Sequence, residues 1–549
     1  MTAPAGPAAT VAAATDVEPA PTSLPRRAGV LVFAAVFLCA SCGMVYELAL
    51  ITVGSYLLGN AVVQASIVLS VMVFAMGVGA LLSKRLVRRA AAGFAVIELV
   101  LGLLGGLSVV LLYTSFAWLR AYTAALVVLA LLIGGLIGAE IPLLMTLLQR
   151  IRSRRASDEV ADLFAADYVG GLVGGLLFPF LLLPTLGLLK GALATGAVNA
   201  VVGSVVVLWL FRESIGRGVR RAITVAMALV LLVLAAAWLF SDEIEVTSRQ
   251  QLYSAPIIHA ERTAYQEIVL TRLEPHEDTR LFLNGNLQLS STDEYRYHEA
   301  LVHPVMAPVA AVTPKRVLVL GGGDGMAVRE LLKYPVEQIT LVDLDPAMTR
   351  LAQTHPRLLE LNRGALSDPR VRVLHDDAFS YLRNGNERFD AIVQDLPDPS
   401  TEATAKLYSL EMFAMAQRAL APGGRMVVQS TSPYFARDAY WCIGRTLTEA
   451  GLAVRGYHVD VPTFGDWGFF LAARPGEAGA ATGPPETPDL AGGPQVGLAP
   501  AVGELRFLTP EVLAGATAFP RDAGWRPVKV STLLEPAVID YHRKGWRTY

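Results

Sequence analysis

The chain has 549 residues, enough for two or three domains, with 53% hydrophobic content and a formal net charge of −2. The charge predicts no nucleic-acid partner, and the hydrophobic content is too high for an ordinary soluble enzyme. Three cysteines give no disulfide framework: Cys39 and Cys42 lie in an apolar run, where they read as small residues on a helix face, and Cys442 lies in the more polar half.

Residues 1–27 form an Ala-, Pro- and Thr-rich stretch closed by Arg26 and Arg27, without apolar periodicity, and are expected to be a disordered tail. The layout is not that of a cleaved signal peptide. A transmembrane domain of about seven helices is expected over 28–240, because apolar runs recur at 28–57, 62–83, 93–114, 121–147, 163–186, 188–211 and 222–240. Each approaches the ~20 residues that cross a bilayer. Lys84, Arg85, Arg88 and Arg89, then Arg150, Arg152, Arg154 and Arg155, then Arg212, Arg217, Arg220 and Arg221 fill alternate connections. The positive-inside rule makes these cytoplasmic together with Arg26 and Arg27. Seven crossings would place everything after Phe240 outside; a re-entrant 163–186 would place it inside, and both arrangements stay open. Glu47, Glu98, Glu140 and Asp167 fall in or beside the apolar runs, either as functional acids or as protonated, interfacial or hydrogen-bonded ones. Gly170-Gly171 and Gly174-Gly175 suit close helix packing.

After Phe240 the composition becomes that of a globular protein. A small β-hairpin subdomain is expected over 241–312, from β-like alternation around 265–270 and 280–283 with Asn284-Gly285-Asn286 as a turn. The stretch 313–474 reads as a Rossmann-like, doubly wound α/β domain, with strands at 317–320, 339–342, 371–374, 391–394 and 426–429. A flexible linker follows over 475–503, and a C-terminal segment over 504–549 is expected to pack back onto the domain.

Val317–Asp345 carries the chemistry. A strand ends in Gly321, Gly322, Gly323, Asp324 and Gly325, a short amphipathic run follows, and a second strand ends in Asp343. Such glycines allow a tight turn and close approach of a ligand, and the acidic strand end can accept hydrogen bonds from a ribose. Asp324 in the turn would repel a pyrophosphate and attract a cation. That argues against NAD and for a nucleoside carrying an amine and a sulfonium. Asp376, Asp377, Asp395 and Asp398 fall at the same strand-end edge, where each alone could equally be a helix or turn cap.

Tyr265-Gln266, LNGNLQLSSTDEYRYHE (283–299), GGGDG (321–325), Asp343, Asp376-Asp377 and DLPDP (395–399) together resemble the spermidine synthases, or polyamine aminopropyltransferases, over about 250–475 and again over 504–549. The apolar half resembles the multi-pass extension of some bacterial members. The resemblance implies decarboxylated S-adenosylmethionine as co-substrate, with no prosthetic group and no metal. Asp343 would hold its ribose, Asp376-Asp377 its adenine, and Asp324, between Gly323 and Gly325, its aminopropyl ammonium. Asp395 would be the catalytic base, with Gln266, Gln288, Tyr297, His298 and Asp398 around an acceptor amine that is putrescine by default. Pairing into homodimers is a further implication.

Asn284, Ser400-Thr401 and Phe464 depart from the family pattern on the acceptor side, and Asp466-Trp467 is either part of the amine pocket or a structural turn. Two other functions fit the same residues. A methyltransferase using intact S-adenosylmethionine would need a partner for the donor carboxylate, and the nearest basic group, Arg329, lies a helical turn beyond the glycines. A polyamine transporter or sensor would depend on the acids of the apolar half.

Overall fold

The computed structural model describes the chain except residues 1–25, 59–60, 117–120, 152–155, 213–214, 242–249, 251–252, 308–312, 478–492, 500–504 and 548–549. Nearly all of the expected tail, most of the expected linker, and Arg152, Arg154 and Arg155 therefore lie outside the described residues. Two compact units result, Met1–Leu252 and Tyr253–Tyr549.

The first unit is helical: α1 (Arg26–Leu58), α2 (Ala61–Leu82), α3 (Ala90–Thr114), α4 (Tyr122–Ile151), α5 (Ala156–Leu177), α6 (Leu183–Leu210) and α7 (Arg217–Leu239). Among the described residues, six stretches are long and apolar enough to cross a membrane, and the fifth, Ala161–Leu210, runs for 50 residues. Straight, it would reach about 75 Å, more than twice the ~30 Å of a hydrocarbon layer. It is not straight, because Gly187 adopts φ 72°, ψ −178° and separates two helical legs. Residues 163–186 are helical throughout. Helix α5 lies close against α1: a Cβ on Gly170 would come within 2.3 Å of the Phe37 carbonyl, and one on Gly174 within 2.3 Å of the Ser41 carbonyl. The Ser41 hydroxyl uses that proximity to donate to the Gly170 carbonyl at 2.8 Å.

This unit is apolar outside and partly polar inside. Phe74, Phe180 and Leu239 are 67%, 77% and 75% exposed, whereas Glu98, Ser108, Asn199 and Ser204 are fully buried.

The second unit opens with an antiparallel meander, β1 (Ile257–Arg262), β2 (Glu267–Leu273), β3 (Asp278–Leu283) and β4 (Asn286–Ser290). Asn284 and Gly285, both at positive φ, make the tight turn between β3 and β4. The meander is not the separate hairpin subdomain expected over 241–312. Ile268, Leu270, Leu281 and Leu289 share one buried core with Val317, Val319 and Ile339 of the following sheet, so the strands belong to the same unit.

Next come α8 (Glu294–Met306), β5 (Arg316–Gly321), α9 (Met326–Leu331), β6 (Gln338–Asp343), α10 (Pro346–Thr354), α11 (Pro356–Asn362), β7 (Val371–His375), α12 (Ala378–Asn384), β8 (Phe389–Asp395), α13 (Glu402–Ala405), α14 (Leu410–Ala419), β9 (Leu420–Gln429), α15 (Arg437–Glu449), β10 (Ala453–Val461), β11 (Gly465–Ala473), α16 (Pro510–Ala516) and α17 (Ala537–Trp546). The sheet order is β10-β11-β9-β8-β5-β6-β7. Strands β7, β6, β5, β8 and β9 run parallel, and β11 and β10 add an antiparallel edge. The parallel strands are near-continuous apolar runs because helices cover both faces.

The C-terminal segment packs on this unit as expected. Glu299 of α8 accepts the backbone N–H groups of Arg506, Phe507 and Leu508 at 2.9–3.0 Å. Further along, Trp441 Nε1 donates to the Ala523 carbonyl at 2.9 Å and Arg445 to that of Val528 at 2.6 Å.

Candidate active site

The parallel strands end together, and their ends carry the acids. Gly321 pairs in register with Asp395, and Asp343 with His375, which precedes Asp376-Asp377. In a doubly wound sheet this edge is where ligands bind. The glycine turn fits tightly against it: a Cβ on Gly321, at φ 81°, would lie 2.0 Å from the Asp395 carbonyl, and one on Gly323 would lie 2.5 Å from Asp343 Oδ2. Glycine is required at both places.

Asp343 accepts the N–H groups of Gly323 at 3.0 Å and Asp345 at 2.9 Å, which fixes its carboxylate beneath the turn. Burial nevertheless pushes it up to about 6, against the pull of those two bonds. Asp324 caps α9 by accepting the Met326 N–H at 2.9 Å, and burial raises it as well.

Asp395 receives the Tyr297 hydroxyl at 2.6 Å on Oδ1. Burial raises its carboxyl, while His298 and the Tyr297 bond pull it back down. The imidazole itself is buried, which would lower it, yet Glu294 at 3.0 Å and the charges of Asp324 and Asp395 raise it to about 9. The site therefore holds an imidazolium at neutral pH, paired with Glu294 and close to the carboxyl groups of Asp324 and Asp395. Glu294 resists burial through His298 and Arg329 and is held at about 2.

The remaining expected residues divide into two groups. Gln266 reaches this edge, donating to Asp345 at 3.0 Å beside the Thr263 hydroxyl at 2.8 Å. Asp398 is held in the same loop as Asp395 by Gln429 at 3.2 Å, Thr431 at 3.1 Å and His542 of α17 at 3.0 Å. Asp377 caps α12 through the Ser380 N–H at 2.9 Å and pairs with Lys406 at 2.7 Å; burial is outweighed by these partners, so its carboxyl is lowered. Asp376 is exposed and accepts the Asp377 N–H at 2.8 Å. Gln288 donates only to carbonyls of its own strand, at 3.2 and 3.4 Å.

The positions that depart from the family pattern are mostly structural. Asn284 accepts the Glu267 N–H at 3.0 Å, and Ser400 donates its N–H to the Asp398 carbonyl at 2.7 Å. Asp466 pairs with His458 at 2.6 Å. Phe464 forms an apolar wall, 6.3 Å from the Tyr297 ring and 5.4 Å from that of Trp467.

Several partners were not found by reading the sequence: Glu294, Asp345, Gln429, Thr431, Lys406 and His542. Only Asp345 had a local signal, since an Asp directly before Pro346 marks a helix start, and it does cap α10 through the Ala347 N–H.

A doubly wound sheet whose strand ends combine a glycine turn with half-buried carboxylates defines a Rossmann-like, methyltransferase-type nucleoside-binding enzyme. The Spermine/spermidine synthase domain model matches residues 294–478. Over 528 residues the chain is 51% identical to Polyamine aminopropyltransferase 1 of Streptomyces coelicolor, covering 95% of this chain and 96% of that protein. It is 48% identical over 528 residues to the Polyamine aminopropyltransferase of Mycobacterium tuberculosis, covering 94% and 96%. Over 534 residues it is 44% identical to that of Corynebacterium efficiens, covering 96% and 98%. The chain belongs to the polyamine aminopropyltransferase family and is an enzyme of the aminopropyltransferase class.

Proposed function

We propose that the protein is a membrane-bound spermidine synthase, moving the aminopropyl group of decarboxylated S-adenosylmethionine to putrescine or a related amine. The observation that carries the reading is the edge of half-buried carboxylates, Asp324, Asp343 and Asp395, around a glycine turn. Asp343 accepts from the ribose hydroxyls. Asp376 and Asp377 take the adenine amino group; the two oxygens of Asp377 keep lone pairs beyond those used by Ser380 and Lys406. Asp324 holds the donor's ammonium.

A primary amine has a pKa near ~10 and attacks only after losing a proton. Asp395 takes it, and the nitrogen lone pair forms a bond to the carbon beside the sulfonium. The carbon–sulfur pair returns to sulfur, leaving neutral methylthioadenosine. No acid is needed for that departure, so the rest of the rate comes from holding two cations in line. Tyr297 and His298 keep Asp395 charged, and Gln266, Gln288 and Asp398 orient the acceptor.

The membrane reading rests on the six long apolar stretches and on the outward-facing Phe74, Phe180 and Leu239. Incubation of the full-length protein with putrescine and the decarboxylated donor should yield spermidine and methylthioadenosine, read by mass spectrometry, with at least an about hundredfold loss in Asp395→Asn. Turnover of intact S-adenosylmethionine to a methylated amine instead would overturn the assignment.

A further inference from the structure

We infer that helices α1, α3, α4 and α6 enclose a site for one divalent transition-metal ion of the zinc class, built on Cys39, Glu98 and Glu140. The thiol sulfur and one oxygen from each carboxyl group lie within 4.8 Å of one another. Cys39 and Glu98 are fully buried and Glu140 is 4% exposed. The three residues come from three helices, α1, α3 and α4.

A second observation, independent of that cluster, points to an occupant. Asn199 of α6 donates from Nδ2 to Glu98 Oε2 at 2.8 Å and to the Glu98 carbonyl at 3.2 Å. Its own Oδ1 is buried without a hydrogen-bond partner, and so is Glu98 Oε1. The Tyr46 hydroxyl, also buried and unpartnered, lies within electrostatic reach of Cys39, Glu98 and Glu140. Buried acids without a compensating charge are strongly disfavoured. Among the described residues, no lysine, arginine or histidine of the helical unit is buried to supply that charge.

The donors select the ion. They surround a single point, which suits one compact cation and not an extended diamine, whose two ammonium groups need separate anionic ends. A thiolate beside carboxylates favours zinc over magnesium or calcium, which take oxygen alone. Donors around tetrahedral zinc stand about 3.5 Å apart, a separation the three reach with a small inward movement. Asn199 Oδ1, buried and unpartnered on a side chain that already touches Glu98, would be the fourth donor. Binding releases the thiol proton and the proton of each carboxyl group that carries one, leaving a thiolate and two carboxylates on the ion, with the Asn199 N–H bonded to Glu98. The site would staple α1, α3, α4 and α6 together within the helical unit.

Full-length protein in detergent would be stripped with a chelator, dialysed against zinc and assayed for bound metal by mass spectrometry. About one zinc per chain is expected in the unchanged protein and in Cys442→Ser, with affinity at least about tenfold weaker in Cys39→Ser and Glu98→Gln. Cobalt(II) in the unchanged protein should give a thiolate-to-metal charge-transfer band that Cys39→Ser lacks. This spectrum keeps the test decisive should a Glu98 variant fail to fold. Absence of the band, or zinc retained equally in both variants, would overturn the site. Glu98→Gln and Glu140→Gln proteins more heat-stable than the unchanged one, with no zinc bound by any, would do the same by showing that the acids only share protons.

Discussion

Arg329 grips the Glu294 carboxylate with both terminal guanidinium nitrogens, at 2.9 Å each. The same side chain donates to the Leu361 carbonyl at 2.7 Å and to Glu330 at 3.0 Å. The one basic group a helical turn from the glycines is therefore committed to the fold. A donor that still carried its carboxylate would meet Asp324 instead. Two like charges at ~4 Å repel by about 4 kcal/mol at an effective dielectric of 20. Binding of intact S-adenosylmethionine should be at least about a hundredfold weaker than that of the decarboxylated donor, and Asp324→Asn should narrow the gap at least about tenfold. Equal affinities in calorimetry would remove Asp324 from the donor site.

Tyr297→Phe deletes the hydroxyl that donates to Asp395. A hydrogen bond to a charged group contributes ~1.5–3 kcal/mol. The variant should fold normally and lose about ten- to a hundredfold in kcat/KM. Its acidic limb should also move to higher pH, because Asp395 loses a group that holds it down. His298→Gln should move that limb in the same direction, by about one unit. An unmoved limb in both variants would mean that Asp395 is not the base.

With the donor held as proposed, Asp343 should link pH to donor binding. Its carboxyl sits at about 6, well above its ordinary 3.8, and only the charged form accepts two ribose hydroxyls. Donor affinity should be flat above pH ~7 and fall by about tenfold per unit below ~6. Stability should run the opposite way. The folded state holds this proton more tightly than the unfolded chain does, so the contribution of Asp343 rises as pH falls through 6 toward 3.8. Titration calorimetry and thermal unfolding between pH 5 and 8 would separate the two, and a parallel decline of both would refute the account.

If the proposed membrane reading holds and each of the seven helical legs among the described residues crosses, the number of crossings is odd. A cysteine introduced at exposed Leu534 should then react with an impermeant maleimide in intact cells, while one at exposed Arg85 should not. The reverse pattern would require an even number of crossings, with the Ala161–Leu210 stretch as the place to look.

How much could be read from the chain depended on distance along it. The apolar runs place α1 to α7, because a bilayer-length helix is a local property, and even the Gly187 break falls between two expected runs. The βαβ unit and the acidic strand ends are legible for the same reason: turn, strand and ligand carboxylate lie within 30 residues. The antiparallel edge of β10 and β11 carries no comparable signal, since an apolar strand reads alike in either direction. Least legible are the side chains that hold the site residues. His542 meets Asp398 across 144 residues, and Glu294 meets Arg329 across 35. Charge and spacing give no reason to match those pairs before the fold brings them together.

Glu299 holds three consecutive backbone N–H groups of the C-terminal segment, Arg506 to Leu508, and Trp441 and Arg445 hold more of it further on. None of these contacts depends on covalent continuity through residues 478–492. A chain cut there should behave as one enzyme in two pieces. The carboxy-terminal fragment should copurify with the larger one and still deliver His542 to Asp398, so the connection could be opened, lengthened or used for a fused partner without silencing catalysis.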